Sequence, residues 1–120
     1  MAKVLLVDDS PLLVKIGRTL LEKEGHEVLT ALDGREAVAQ AKKGRPHIIF
    51  MDAEMPDMDG PEACRALKAD ASTKSIPVFI CTGHDLSPEQ TKKFRSAGAA
   101  GWIQKPYKSE DLSALITKHT

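Results

Sequence analysis

The fold is best read from residues 47–60, which have the sequence HIIFMDAEMPDMDG. Residues 47–51 form an apolar run of strand length, and Asp52 closes it. A carboxylate at the carboxyl end of a buried strand is a candidate functional residue. The residues that follow predict a turn into a helix, and Asp57 and Asp59 are interpreted as part of that turn rather than as a calcium loop.

Four further apolar runs alternate with stretches of helical period, a pattern that predicts a parallel sheet with crossover helices. The predicted strands are Lys3–Asp8, Glu27–Ala31, His47–Asp52, Ile76–Thr82 and Gly101–Gln104. Five helices are predicted to open at Ser10-Pro11, Asp33-Gly34, Gly60-Pro61, Ser87-Pro88 and Ser109. The predicted fold class is therefore α/β, a doubly wound five-stranded parallel sheet flanked by five helices.

The first and fourth predicted helices differ in their apolar content. The first has an apolar face, made of Leu13, Ile16, Leu20 and Leu21. The fourth opens with Ser87-Pro88-Glu89-Gln90, a capping-box match. Its apolar stripe is sparse, with Phe94 and Ala97 inward and with three cations outward, Lys92, Lys93 and Arg95. This pattern predicts a lightly held, mobile helix.

Length and composition limit the classes of function. The chain has 120 residues, enough for one domain with its own core, and 17 basic residues balance 17 acidic ones. The balanced charge argues against binding to nucleic acid or to an anionic membrane, and no apolar stretch reaches membrane-spanning length. Cys64 and Cys81 form no paired pattern, and no secretory segment follows the first residue. We therefore expect a cytoplasmic protein with buried, reduced thiols and a single domain over residues 1–120.

Polar residues also mark the carboxyl ends of other predicted strands. Asp8 and Asp9 end the first strand, Thr82 ends the fourth, and Lys105 follows the fifth. Because parallel strands place their carboxyl ends at one edge of a sheet, we expect these residues to meet Asp52. Carboxylates gathered there repel one another unless a cation neutralises them, and Mg²⁺, for which Mn²⁺ could substitute, suits an open edge with water and a phosphate oxygen.

A metal, a lysine and a hydroxyl are the parts that hold the oxygens of a transferring phosphoryl group. One of the carboxylates would then be the nucleophile and form an acyl phosphate. The sequence therefore predicts phosphoryl chemistry at this edge of the sheet.

Four motifs in order along the whole chain resemble the receiver domain of two-component response regulators. They are Val7-Asp8-Asp9-Ser10, residues 52–60, Cys81-Thr82-Gly83 and Lys105-Pro106-Tyr107. The resemblance implies a CheY-like, flavodoxin-like sheet of strand order 2-1-3-4-5. Because no DNA-binding or enzymatic segment follows the fifth predicted helix, we expect a stand-alone regulator with no output domain.

The resemblance further implies a role for each residue. Asp52 is the phosphoacceptor, Asp9 a direct magnesium ligand, Asp8 a ligand mainly through water, and Glu54 a ligand through its backbone carbonyl. Lys105 pairs with a phosphoryl oxygen. The implied switch consists of Thr82, which turns its hydroxyl towards the phosphoryl group, and Trp102, which turns into the space vacated. The implied supporting residues are Gly83 and Pro106, and those that tune the phosphoryl lifetime are Glu54 and His84.

The function implied is signalling by binding. A sensor histidine kinase, a histidine phosphotransfer protein or a small donor would phosphorylate Asp52, and a downstream protein would bind the face formed by the fourth helix, fifth strand and fifth helix. The chain would catalyse only its own phosphorylation and autodephosphorylation, as a monomer or a phosphorylation-dependent dimer. One alternative is a phosphorylation-independent adaptor. Another is a phosphatase with an aspartyl phosphate, disfavoured because Glu54 replaces the second Asp of the Asp-x-Asp pair in such enzymes.

Overall fold

The computed structural model describes residues 2–83, 87–105 and 108–119. The strands are β1 Lys3–Val7, β2 Glu27–Ala31, β3 Ile48–Asp52, β4 Val78–Thr82 and β5 Gly101–Gln104. The helices are α1 Pro11–Lys23, α2 Gly34–Gly44, α3 Gly60–Lys68, α4 Pro88–Ser96 and α5 Ser109–His119. All strands pair in parallel in the order β2-β1-β3-β4-β5, which confirms the predicted fold class and strand order. Across these ranges, each helix is too short or too polar to cross a bilayer.

Three strands are one or two residues shorter than predicted. β1 ends at Val7 because the carboxylate of Asp8 accepts a hydrogen bond from the backbone N–H of Ser10 and turns the chain. β4 begins after Pro77, which has no N–H to give to a strand ladder. β3 begins at Ile48, one residue later than predicted.

The predicted helix starts are confirmed, and each of the first four has a side-chain cap. The caps are Ser10, Asp33, Asp59 and Ser87, each accepting from the backbone N–H three residues on. The complete capping box lies at Asp59 and Glu62, where sequence analysis did not place one. The box predicted at Ser87 is only half formed, since Oε1 of Gln90 is buried with no hydrogen bond to the described residues.

Two apolar cores cover the two faces of the sheet. The first core contains side chains of α2, α3 and α4, and the second contains side chains of α1 and α5. Cys64 lies in the first core and Cys81 in the second, both as free buried thiols, as predicted. Burial raises the pKa of Cys64 and raises that of Cys81 to about 12, so both thiols stay protonated at neutral pH.

The apolar face predicted for α1 is mostly not part of the core. Leu21 is fully buried, but Leu13, Ile16 and Leu20 are 51%, 48% and 40% exposed. The helix buries Val14 with Leu21, so the face that packs on the sheet is rotated away from the predicted one. We call the exposed set, with Leu12, the α1 patch.

Candidate functional site

The candidate site lies at the carboxyl ends of β1 and β3, next to the point where strand order reverses. The crossover after β1 runs to β2 on one side, and the crossover after β3 runs to β4 on the other side. The structure brings together the three acids singled out in the sequence. One carboxylate oxygen each from Asp8, Asp9 and Asp52 lie within 4.8 Å of one another.

Lys105 joins this cluster from the loop after β5. Its Nζ lies 3.0 Å from Oδ2 of Asp8 and 3.0 Å from Oδ1 of Asp52. The backbone N–H of Lys105 donates to the carbonyl of Thr82 at 2.7 Å, which fixes the start of the loop against β4. Burial lowers the pKa of Lys105, but its bonds to the two carboxylates outweigh this effect and hold the pKa above its usual range. The lysine is therefore charged and shared by two acids.

The three acids have different surroundings. Asp8 is buried, and its second oxygen accepts a hydrogen bond from the N–H of Ser10 at 3.0 Å. Asp9 is exposed. Asp52 is 8% exposed, and burial raises its pKa, which Lys105 opposes and the neighbouring Asp8 and Asp9 reinforce. Asp52 is thus a buried carboxylate, and the lysine that it shares with Asp8 does not fully offset the effect of burial on its pKa.

An open cleft of about 500 Å³ lies over the acids. We call it the acidic cleft, and its lining includes Asp9, Asp52, Glu54, Met55, Pro56, Gly83 and Lys105. Hard divalent cations prefer carboxylate and carbonyl oxygens, and Mg²⁺ keeps several waters. An exposed carboxylate and a buried one at the edge of an open cleft fit such an ion.

Thr82 and Trp102 lie on the same side of the sheet, the side covered by α3 and α4. Thr82 is 2% exposed and ends β4, one residue after the partner of Asp52 in the β3–β4 ladder. Its side chain lines a second groove of about 340 Å³ between the strand ends and α4, which we call the α4 groove. Trp102 is half-buried on β5 and packs against the first core.

Gly60, the first residue of α3, is important to the site although no sequence motif assigns it a role. A Cβ on Gly60 would lie 2.5 Å from the carbonyl oxygen of Asp52 and 3.0 Å from Cα of Ala53. The N–H of Gly60 also donates to the carbonyl of Ala53 at 2.9 Å. The start of α3 is therefore packed directly on the backbone of the candidate phosphoacceptor, and the only sequence signal was a glycine directly after a helix cap.

Two predicted site residues, His84 and Pro106, lie outside the described residues. The other predicted residues are at the carboxyl ends of strands or in the adjoining cleft, except Trp102, which lies within β5. Glu54 is exposed in the lining of the acidic cleft, and Gly83 is exposed beside it.

The α1 patch borders the site. A groove of about 360 Å³ runs between α1 and α5 and is lined by Leu13, Ile16, Leu20 and Leu112. Asp8 and Lys105 lie at one end of it. An apolar surface therefore adjoins the charged cluster.

Comparison with known proteins agrees with this geometry. The model of the family described as response regulator receiver domain matches residues 4–117. PilH of Pseudomonas aeruginosa is 40% identical over 116 residues, which cover 97% of this chain and 95% of PilH.

Solved structures agree as well. The structure of the chemotaxis protein CheY4 of Vibrio cholerae has a TM-score of 0.92 at 38% identity and covers 100% of this chain and 99% of that chain. The receiver domain of a sensor histidine kinase of Pseudomonas aeruginosa is 27% identical with a TM-score of 0.88, over 98% of this chain and 96% of that chain. That structure has a magnesium ion coordinated in its active-site cleft. This chain therefore belongs to the response regulator receiver domains of two-component systems and is CheY-like.

Proposed function

We propose that this chain is a response regulator that accepts a phosphoryl group on Asp52 and signals by altered protein binding. The observation that supports this most directly is the position of Lys105, 3.0 Å from both Asp8 and Asp52 at the end of an open cleft. A lysine shared by two carboxylates can transfer one of its hydrogen bonds to an incoming phosphoryl oxygen while the other holds it in place. A docking module without phosphorylation would gain nothing from keeping three carboxylates within 4.8 Å.

In the proposed reaction an oxygen of Asp52 attacks the phosphorus of a donor. The donor is the phosphohistidine of a sensor kinase or of a histidine phosphotransfer protein, or a small acyl phosphate. The bond from Asp52 to phosphorus forms as the bond from phosphorus to the donor nitrogen or oxygen breaks, and its electron pair leaves with the donor. Lys105 already bonds Oδ1 of Asp52, so Oδ2 is the oxygen that attacks.

The acyl phosphate is later hydrolysed by water, which returns the carboxylate and releases inorganic phosphate. The chain thus catalyses only its own phosphorylation and autodephosphorylation. Glu54 lines both the acidic cleft and the α4 groove, and we propose that its side chain helps to set the rate at which water enters.

The residues of the acidic cleft fit a resident divalent cation. Asp9 and Asp52 would bind Mg²⁺ directly, Asp8 through water, and Glu54 through its backbone carbonyl. When bound, Mg²⁺ or Mn²⁺ supplies positive charge against the phosphoryl oxygens. Asp8 is held by Lys105 and by the N–H of Ser10, which suits a supporting rather than a direct ligand.

The α1 patch supports a protein as the main donor. Exposed apolar patches beside a reactive site are typical of protein-binding surfaces, and this patch adjoins Asp8 and Lys105. A Leu13→Ser, Ile16→Ser double variant should keep labelling by a small donor and lose rate with a protein donor. Loss of labelling with both donors would contradict this assignment.

The proposed output passes through Thr82, Trp102 and α4. Thr82 lines the groove under α4, so movement of its hydroxyl towards a phosphoryl group on Asp52 would change the packing there. A downstream protein, or a second copy of the chain, would then bind the face of α4, β5 and α5 according to the phosphorylation state.

The test is incubation with acetyl phosphate and Mg²⁺, followed by separation on a phosphate-affinity gel. Wild type should form one retarded species, and Asp52→Asn should form none. Mass spectrometry of the wild-type product should place one added phosphoryl group on Asp52. If wild type stays unmodified at saturating donor, the adaptor function is favoured and the phosphoacceptor proposal is wrong.

A further inference from the structure

Helix α4 contacts the rest of the protein through one buried side chain and two side-chain cations. Phe94 is the buried residue within α4, and Ala97 follows directly after the helix. The ammonium of Lys93 lies 3.6 Å from a carboxylate oxygen of Asp59, at the cap of α3. The guanidinium carbon of Arg95 lies 5.3 Å from the ring centre of Trp102 on β5. With so little apolar anchoring, these contacts have a large share in fixing the position of α4.

The orientation of Trp102 is tied to α4. Its ring centre is 6.2 Å from that of Phe94, and the two rings are inclined at 53°. Trp102 also pairs with Ile80, and Ile80 and Thr82 point to the same face of the sheet because side chains alternate along a strand. The indole, Thr82 and the inner side of α4 therefore share one region of packing.

That region is not filled. The α4 groove has a volume of about 340 Å³ and is bounded by Thr82, Gln90 and Phe94. Oε1 of Gln90 is buried there with no hydrogen bond to the residues that the structure describes. An open groove of this size, lined by Phe94 and next to the Phe94–Trp102 pair, leaves space for a second packing of these side chains.

We propose that Arg95 is a positioning residue that holds Trp102 in its half-exposed orientation and so disfavours the signalling state of this receiver. The proposal rests on the phosphoacceptor function proposed above. Arg95 is exposed, and a cation over an indole at an exposed site stabilises one orientation by about two- to fivefold in population. If Trp102 turns into the α4 groove, it leaves the guanidinium. The cation–π contact therefore stabilises only the resting state.

Thermodynamic linkage gives the consequence at Asp52. A ligand that binds Asp52 best when the indole is turned inward must break the Arg95 contact. Its apparent affinity is therefore reduced by about the same two- to fivefold factor. Removal of Arg95 should therefore tighten binding at a residue in another part of the fold. A surface arginine with only a packing role would have no such effect.

The experiment uses the full chain and beryllofluoride with Mg²⁺, an analogue of a carboxyl-bound phosphoryl group, followed by the fluorescence of Trp102, the single tryptophan. Arg95→Ala should bind the analogue about two- to fivefold more tightly than wild type, and Arg95→Lys should lie between them. The matched control is Lys92→Ala, which removes the same charge from an exposed position on the same helix and should bind like wild type.

The spectra provide a second readout that does not depend on affinity. The emission of free Arg95→Ala should differ from that of free wild type, since the cation no longer lies over the indole. At saturation the two spectra should coincide, because the contact is broken in both bound proteins. Equal affinities, or bound spectra that differ as much as the free ones, would overturn the role of Arg95 alone. If wild type does not respond to the analogue and Asp52→Asn behaves identically, the phosphoacceptor proposal itself is wrong and this inference falls with it.

Discussion

Replacement of Gly60 by alanine is expected to damage the candidate site through the backbone of Asp52. The added Cβ would lie 2.5 Å from the carbonyl oxygen of Asp52, about 0.9 Å short of an ordinary contact at 3.4 Å. The atoms that it meets belong to backbone, which cannot rotate away as a flexible side chain can. Either α3 or the end of β3 must move.

The expected magnitudes follow from that displacement. Overpacking of a well-packed region costs about 1–3 kcal/mol, while replacement of a glycine that has no positive φ recovers about 0.4–1 kcal/mol through the unfolded chain. We expect the free energy of unfolding of Gly60→Ala to fall by about 1–2 kcal/mol. A shift of about 1 Å in a reacting group can lower a rate about 100-fold, so phosphorylation should slow by about ten- to one hundred-fold.

The assay combines urea unfolding with the rate of labelling by acetyl phosphate and Mg²⁺. Gly17→Ala is the matched control, because there the new Cβ meets only the end of the Leu6 side chain at 3.0 Å. Alanine is favoured over glycine inside a helix by about 1 kcal/mol, so Gly17→Ala should be at least as stable as wild type and should be labelled at the same rate. Wild-type stability and rate in Gly60→Ala would refute the argument that α3 positions Asp52 by close contact.

Three further predictions concern metal binding, backbone strain and acid stability. Mg²⁺ at ten times its dissociation constant should stabilise wild type by about 1.4 kcal/mol and raise its melting temperature by roughly 3–7 °C, whereas Asp9→Asn should lose most of this shift in the same thermal scan. Arg45 is the C-cap directly after α2 and has a φ of 47°, a conformation that glycine adopts more easily. Arg45→Gly should therefore raise the free energy of unfolding in urea by about 1 kcal/mol. A decrease would show that contacts of the Arg45 side chain contribute more to stability than the strain of its backbone costs. Hydrogen bonds from Ser72 and the contact with Lys42 lower the pKa of Asp70 from 3.8 to about 2, so its contribution to stability is present above pH 4 and is lost as the pH falls towards 2. Asp70→Asn should flatten that part of the pH–stability curve, and an unchanged slope would contradict the assignment.

The sequence predicted the sheet well because the relevant signals are local. β3 and β4 are apolar runs that end in a polar residue, β1 is an apolar run followed by one, and each of the first four helices begins at a side-chain cap. The meeting of Asp8 and Lys105, 97 positions apart, was expected only from the general rule that parallel strands place their carboxyl ends at one edge of a sheet. It depends on strand order, which only the family resemblance supplied, and the structure confirms that order.

The errors have physical causes as well. Helical period shows that Leu13, Ile16 and Leu20 share a face, but it cannot show whether that face is covered by the same chain or left for a partner. The Ser87–Gln90 pair has the residues of a capping box, yet a side-chain amide can point into a groove instead. Gly60 escaped notice because a close backbone approach between β3 and α3 leaves no pattern apart from the glycine itself.

The charges at the strand ends and the weak anchoring of α4 together explain how a phosphoryl group on Asp52 could change the face formed by α4, β5 and α5. Three carboxylates lie together with one lysine, which bonds two of them, so the resting site has two net negative charges and is complementary to a dication. A phosphoryl group on Asp52 would engage Lys105 and draw the hydroxyl of Thr82 out of the α4 groove. That groove is bounded by α4, which has one buried side chain, Phe94, and two surface cations in contact with other elements. A change of about 1 kcal/mol is comparable with each of the two cation contacts, so α4 is the element whose packing should shift first.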